Sequence, residues 1–307
     1  MAIAIAYGVL ILIWTTTPLA INFSNSGFSF IAAVSARMCL ALVIAVAILI
    51  LWRRKLPTDD KSLKNYFIAS LGIFPYMPLV YWSAQFIPSG LLPVIMGISP
   101  FVTGLLSLIM LKENPFTLPR IMALLLALLG LGVILADQQH QPGNAVFGVI
   151  GMLSSCVLLA WSSIWLQQQQ HHLPPLEHTT GALMFAVPSL IACWYGLDGT
   201  LPEVDTNMAA VGSTVYLATC GTLLGYSLYF YLLRELGAMS ISLITLVTPL
   251  LALWLGAQVA HEQLSPQLLA GTGLVLGALV TYHSGTLLKP LFRRQKTNTD
   301  QETLELT

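Results

Sequence analysis

Charge is what this sequence has least of. Asp, Glu, Lys and Arg together make up 8% of its 307 residues, and 56% are hydrophobic. An average soluble domain carries about 25% charged residues, and the mean hydropathy of +0.78 points the same way. A chain this long folded in water needs far more polar surface, which excludes a soluble globular enzyme. The 13 basic residues balance the 13 acidic ones, so the charge balance does not suggest nucleic acid as a partner. Cysteine is scarce too. Cys39, Cys156, Cys193 and Cys220 all lie inside apolar runs, with no CxxC or Cys/His spacing that would suggest metal or redox chemistry. They are expected to be packing residues, and no cofactor is expected. Finally, no acidic residue occupies the centre of an apolar run. That removes the usual mid-membrane proton relay, as well as the carboxylate clusters on which membrane-embedded enzymes draw.

What is abundant is apolar runs of roughly 20 residues, the length of helix that crosses a bilayer core. Ten are read, over about 3–22, 29–52, 66–86, 90–111, 118–136, 146–167, 179–197, 209–233, 238–260 and 267–287. The first has no positively charged residues before it and is long for a signal peptide, so it is taken as a retained span. Ile87-Pro88-Ser89-Gly90 and Arg234-Glu235-Leu236-Gly237 serve as tight turns between neighbouring helices. The distribution of basic residues tests the count, since cytoplasmic loops collect Lys and Arg. With the N-terminus in the cytoplasm, Arg53, Arg54, Lys55, Lys61, Lys64, Lys112, Arg120, Arg234, Lys289, Arg293, Arg294 and Lys296 all fall on one side. The opposite loops hold Asp137, Asp198, Glu203, Asp205 and Glu262 and neither Lys nor Arg. A multi-pass protein of a bacterial-type inner membrane with both termini cytoplasmic is expected.

The two halves also echo each other. Ser99-Pro100 and a run ending at Glu113 match Thr248-Pro249 and a run ending at Glu262 at one offset of 149 residues. Trp14-Thr15-Thr16 matches Trp161-Ser162-Ser163 at 147. Five helices per half is an odd number, so a continuously threaded second half lies upside down. Inverted repeats with a midplane site between them are a recurring plan of secondary transporters. On these marks the chain resembles the drug/metabolite transporter superfamily, EamA type, over roughly residues 3–287. The resemblance implies an all-α membrane fold of ten helices, with a first repeat at 1–137 and a second at 145–287; the polar, charged composition of 288–307 reads as a disordered cytoplasmic tail. The resemblance also implies a central cavity lined mainly by the first four helices of each half.

Several residues are candidates for contacting a solute. Arg37 is the one basic residue well inside a span, where a charge costs on the order of 2.5–3.5 kcal/mol on insertion scales. It either faces the cavity and pairs with an anionic group of the substrate, or holds helix-end carbonyls structurally. Pro93, Gly97 and Pro100 are expected to interrupt the fourth span, and Pro249 the ninth, which makes Ser99-Pro100 and Thr248-Pro249 matched candidates. Helical spacing groups Trp14, Thr17 and Asn22 on the first span, Tyr81 and Gln85 on the third, and Trp161, Trp165 and Gln168 on the sixth. It also groups Thr219, Thr222, Tyr226 and Tyr229 on the eighth. Such side chains suit amphiphilic solutes. A coupling proton would have to use a helix-end carboxylate, or His261 or His283. Gln167–Gln170 with His171 and His172 reads as a solvated loop.

The expected function is transport, in the export direction, of small amino acid-like or amphiphilic metabolites by alternating access, with a small molecule and the lipid bilayer as partners. A lipid-carrier or nucleotide-sugar carrier is the nearer alternative, and a membrane-embedded enzyme or a non-transporting scaffold the remoter ones. Composition is silent on oligomeric state.

Overall fold

The computed structural model describes residues 2–112, 117–138, 145–169, 173–199, 208–241, 244–262 and 265–282, and every regular element among them is helical. In chain order these are α1 (Ala2–Asn25), α2 (Phe30–Leu51), α3 (Asp60–Leu71), α4 (Tyr76–Ser83), α5 (Leu91–Met96), α6 (Ser99–Met110) and α7 (Leu118–Gln138). There follow α8 (Ala145–Gln169), α9 (Pro175–Leu197), α10 (Met208–Tyr216), a π-helical segment (Leu217–Leu224), α11 (Gly225–Leu236), α12 (Ala238–Ile241), α13 (Ile244–Val259) and α14 (Pro266–Tyr282).

Among the described residues, seven helical stretches are long and apolar enough to cross a membrane: Ala2–Asn25, Phe30–Leu51, Leu91–Met110, Leu118–Ala136, Ala145–Gln169, Pro175–Leu197 and Met208–Leu236. Val247–Val259 and Pro266–Tyr282 are shorter apolar helices. The expected third span is broken. It starts early at Asp60, where Asp59 caps the helix by accepting from the Ser62 amide at 3.2 Å, and it stops at Leu71 before restarting at Tyr76. Gly72 and Pro75 sit in the gap, and Pro75 has no N–H to carry the helical ladder across it.

Side chains sort in a way that suits lipid. On α7, Ala123, Ala127 and Gly130 are buried, while Met122, Leu125, Leu128 and Leu129 are exposed. On α2, Ala33, Ala41 and Ala45 are buried, and Val43, Ile50 and Leu51 are exposed. Small residues inside let helix backbones approach closely, and large aliphatics outside meet a solvent as apolar as themselves. Backbone meets backbone where α7 packs on α14: a methyl on Gly130 would lie 2.7 Å from the Gly271 carbonyl and one on Gly271 would lie 2.8 Å from that of Gly130.

Packing runs mostly between the two halves of the chain. α2 packs on α9, α3 and α4 on α8, α3 on α9, α1 on α13 and on α10–α11, α6 on α8, and the π-helical segment on α2. Polar clasps join the halves at both ends. Glu262 accepts from the Ser89 amide (2.8 Å), the Ser89 hydroxyl (2.6 Å) and the Gly90 amide (3.1 Å), and so caps the start of the Leu91–Met110 stretch from the end of α13. Ser29 donates to Asp198. Towards the basic loops, Arg54 pairs with the buried Glu177 at 3.2 Å.

The proline expectations divide. Gly97 and Ile98 do separate α5 from α6. Pro100 itself sits in the first turn of α6, where a missing N–H removes no helical bond. Pro249, by contrast, lies inside the continuous α13 rather than interrupting it. The Thr248 hydroxyl beside it donates to the Ile244 carbonyl at 3.2 Å. Glu113, Glu203, Asp205, Gln170, His171, His172, His283 and the tail 288–307 lie outside the described residues.

Candidate functional site

A cavity lies among α1, α2, α4, α5, α8, the π-helical segment, α11 and α13. Its wall comprises Trp14, Thr17, Pro18, Ile21, Arg37, Tyr76, Met77, Val80, Leu92, Pro93, Met96, Met152, Leu159, Gly221, Tyr226, Tyr229 and Thr248. Its free volume is about 70 Å³. Of these residues Arg37 alone carries charge.

Arg37 is 1% exposed. Its Nε donates to Thr222 Oγ1 at 2.8 Å and its Nη1 to the Tyr81 hydroxyl at 3.3 Å. The guanidinium carbon also stands 5.9 Å from the centre of the Tyr81 ring. Among the described residues no carboxylate lies within ion-pairing distance of it. Two hydroxyls therefore fix the orientation of the guanidinium and leave its charge uncompensated by any acid.

The aromatic wall is tied down in the same manner. The Tyr226 hydroxyl donates to the Gly72 carbonyl at 2.9 Å. That carbonyl belongs to the break between α3 and α4, where it must find a partner other than the helical ladder. Tyr229 shares a 2.5 Å hydrogen bond with Ser163 on α8. Its ring lies 6.0 Å from that of Trp14 and stands perpendicular to that of Tyr226. A second void of about 30 Å³ touches Ser99, Thr103, Ser163, Ala238 and Ile241. It shares Trp14, Met96, Leu159 and Tyr229 with the first, so these four side chains partition the two spaces.

The model of the EamA-like transporter family matches the chain twice, over residues 2–136 and 146–282. The chain belongs to that family. It is thus a multi-pass membrane protein and a transporter rather than an enzyme. An uncharacterized transporter of Archaeoglobus fulgidus is 26% identical over 86% of this chain and 92% of its own length. The uncharacterized transporter YoaV of Bacillus subtilis is 24% identical over 86% and 90%. Protein PagO of Salmonella typhimurium is 25% identical over 98% and 99%. A protein of solved crystal structure superposes with a TM-score of 0.65 at 15% identity, covering 92% of this chain and 97% of that one. At that identity the likeness is one of fold.

In this EamA-like transporter the sequence-predicted residues separate into two groups. Arg37, Trp14, Thr17, Tyr226, Tyr229 and Thr248 meet at the main cavity, Tyr81 backs Arg37, and Ser99 lines the smaller void. The others lie elsewhere. Asn22 is half-buried and outside both linings, and Gln85 is exposed in the turn after α4, bonding the Trp82 carbonyl. Trp161 is exposed and stacks on the half-buried Trp165 at 6.0 Å. Pro100 is buried, and its carbonyl accepts from Tyr282 at 3.1 Å; Pro249 is buried within α13. Gln168 reaches the Met110 carbonyl, and Thr219 bonds back within its own helix. Sequence reasoning passed over Tyr76, Gly221 and the cavity methionines Met77, Met96 and Met152. The Pro75-Tyr76-Met77-Pro78 run carried a usable signal, because paired prolines mark a broken span. Met suits adaptable binding walls, but its side chain looks the same in a core.

Proposed function

We propose that the protein exports small amphiphilic solutes bearing one anionic group, by alternating access of a ten-helix bundle made of two inverted five-helix halves. The observation that carries this reading is Arg37: a guanidinium 1% exposed, on a cavity, held by two neutral hydroxyls and facing no carboxylate among the described residues. Aromatic and methionine side chains around it offer apolar contact to the body of such a solute. One cavity cation suits a monoanion better than the two phosphates of a nucleotide sugar.

Packing supports the two-half plan. Exchanging the halves turns the contact of α1 with α13 into that of α8 with α6, and the contact of α8 with α4 into that of α1 with α11; all four occur. The third span of each half is irregular as well, by the α3–α4 break in one and by the π-helical segment in the other. The clustering of Lys and Arg on one set of loops supports placement in the inner membrane with both termini cytoplasmic.

The test is counterflow in proteoliposomes against a panel of amino acids, aromatic acids, purine derivatives and organic cations. Arg37→Gln should remove movement of the anionic members and spare neutral ones. Unchanged movement of every anionic compound by a folded Arg37→Gln protein ends this reading.

A further inference from the structure

We propose that Gly221 is a specificity-determining position that keeps the third nitrogen of Arg37 open for one oxygen of a substrate carboxylate. This rests on the reading of Arg37 given above and sharpens it. Nε and Nη1 are engaged by Thr222 and Tyr81, whereas Nη2 has no hydrogen-bond partner among the described residues. Arg37 and Gly221 both border the main cavity.

What faces Nη2 is the absence of a side chain. A methyl built on Gly221 would stand 3.0 Å from Nη2, 3.6 Å from the guanidinium carbon and 3.3 Å from Leu217 Cδ2. A charge-assisted N–H···O contact needs about 2.7–2.9 Å, so the methyl would crowd the space where a carboxylate oxygen docks. The guanidinium cannot swing aside freely, because Thr222 and Tyr81 hold two of its nitrogens and its surroundings are buried.

Local backbone geometry makes this arrangement available. Leu217–Leu224 is π-helical, and the Gly225 amide reaches back five residues to the Cys220 carbonyl. The widened turn brings two adjacent residues to one side chain: Thr222 supplies an acceptor to Nε while Gly221 leaves Nη2 clear. Such segments recur at functional sites. The ligand class that fits is an apolar monocarboxylate. A larger oxyanion, such as a sulfonate or phosphonate, brings a third oxygen into the same narrow gap.

The experiment measures equilibrium binding of radiolabelled phenylacetate and phenylacetamide, and of indole-3-acetate and its amide, to the purified full-length protein in detergent. Wild type, Gly221→Ala and Arg37→Gln are compared. The wild type should prefer each acid over its amide, and Arg37→Gln should erase that preference. Gly221→Ala should weaken acid binding ~10-fold, the scale of one hydrogen bond to a charged group, and leave amide binding within about twofold. Wild-type-like acid binding by Gly221→Ala, with the acid preference of the wild type intact, overturns the role of Gly221 alone. Equal loss of acid and amide by Gly221→Ala means a collapsed cavity and overturns it too. Absence of any acid preference in the wild type sinks the Arg37 reading underneath.

Discussion

Glu262 and Gly256 should be energetically coupled, with a sign that changes when the carboxylate is removed. Glu262 folds back over the end of α13 and accepts three hydrogen bonds from Ser89 and Gly90. Its path passes directly over Gly256, where a built methyl would overlap Oε2 and come within 3.1 Å of the carboxyl carbon. Glu262→Ala strips a helix start of a charged acceptor shared by three donors. Helix-cap losses run about 0.5–2 kcal/mol, and bonds to charged groups more, so about 2–3 kcal/mol is expected. At about 2–4 °C per kcal/mol for a chain near this size, the unfolding midpoint falls by about 4–12 °C.

Gly256→Ala sets two effects against each other. Overpacking against Glu262 costs about 1–3 kcal/mol, and alanine gains about 0.8–1.0 kcal/mol over glycine inside a helix. With Glu262 present, the clash wins by up to about 2 kcal/mol. With Glu262→Ala, only the propensity gain remains, and the same substitution raises the midpoint by up to about 4 °C. The assay is thermal unfolding in detergent, followed by tryptophan fluorescence, of the wild type, both single variants and the double variant. Additive shifts, with Gly256→Ala costing the same whether or not Glu262 is present, would refute the geometry.

Two other expectations stand on separate ground. A methyl on Gly181 would overlap three atoms of the buried Tyr66 ring, so Gly181→Ala should destabilise by about 1–3 kcal/mol; in a Tyr66→Val background the same substitution should cost little, read by the same unfolding assay. In a cysteine-free background, Ser26→Cys should react with a membrane-impermeant maleimide on intact cells, and Thr58→Cys only after permeabilisation; labelling of both from one side contradicts the proposed orientation.

Seven membrane-length stretches were legible because hydropathy reports what a segment can be surrounded by. The start of α3 was not, since Asp60–Asn65 is polar and only the Asp59 cap marks it as helix. Arg37 stood out as a charge in an apolar run, and its burial follows directly from that context. The aromatic stripes were a weaker guide. Spacing says which residues share a helix face and is silent on what that face meets. Tyr226 and Tyr229 turned inward to the cavity, while Trp161 turned outward and stacks on Trp165. Gly221 carried no signal of its own, because its role depends on a residue 184 positions away, brought near by the packing of α2 on the π-helical segment.

The choice of partners around Arg37 is itself an argument about what the cavity does. A guanidinium at mid-membrane depth can be made cheap by building a carboxylate beside it, since an ion pair answers both charge and hydrogen-bonding demand. Here the neighbours are a threonine and a tyrosine. Hydroxyls orient the group but bring no opposing charge, so the desolvation cost stays partly unanswered in the absence of the proposed anion. An internal carboxylate would have stabilised the resting protein and then competed with every anionic ligand. Introducing one is the discriminating perturbation: an acid reaching Arg37 should make the fold more stable and the transporter worse at the same stroke, an opposition that a purely structural arginine would not produce.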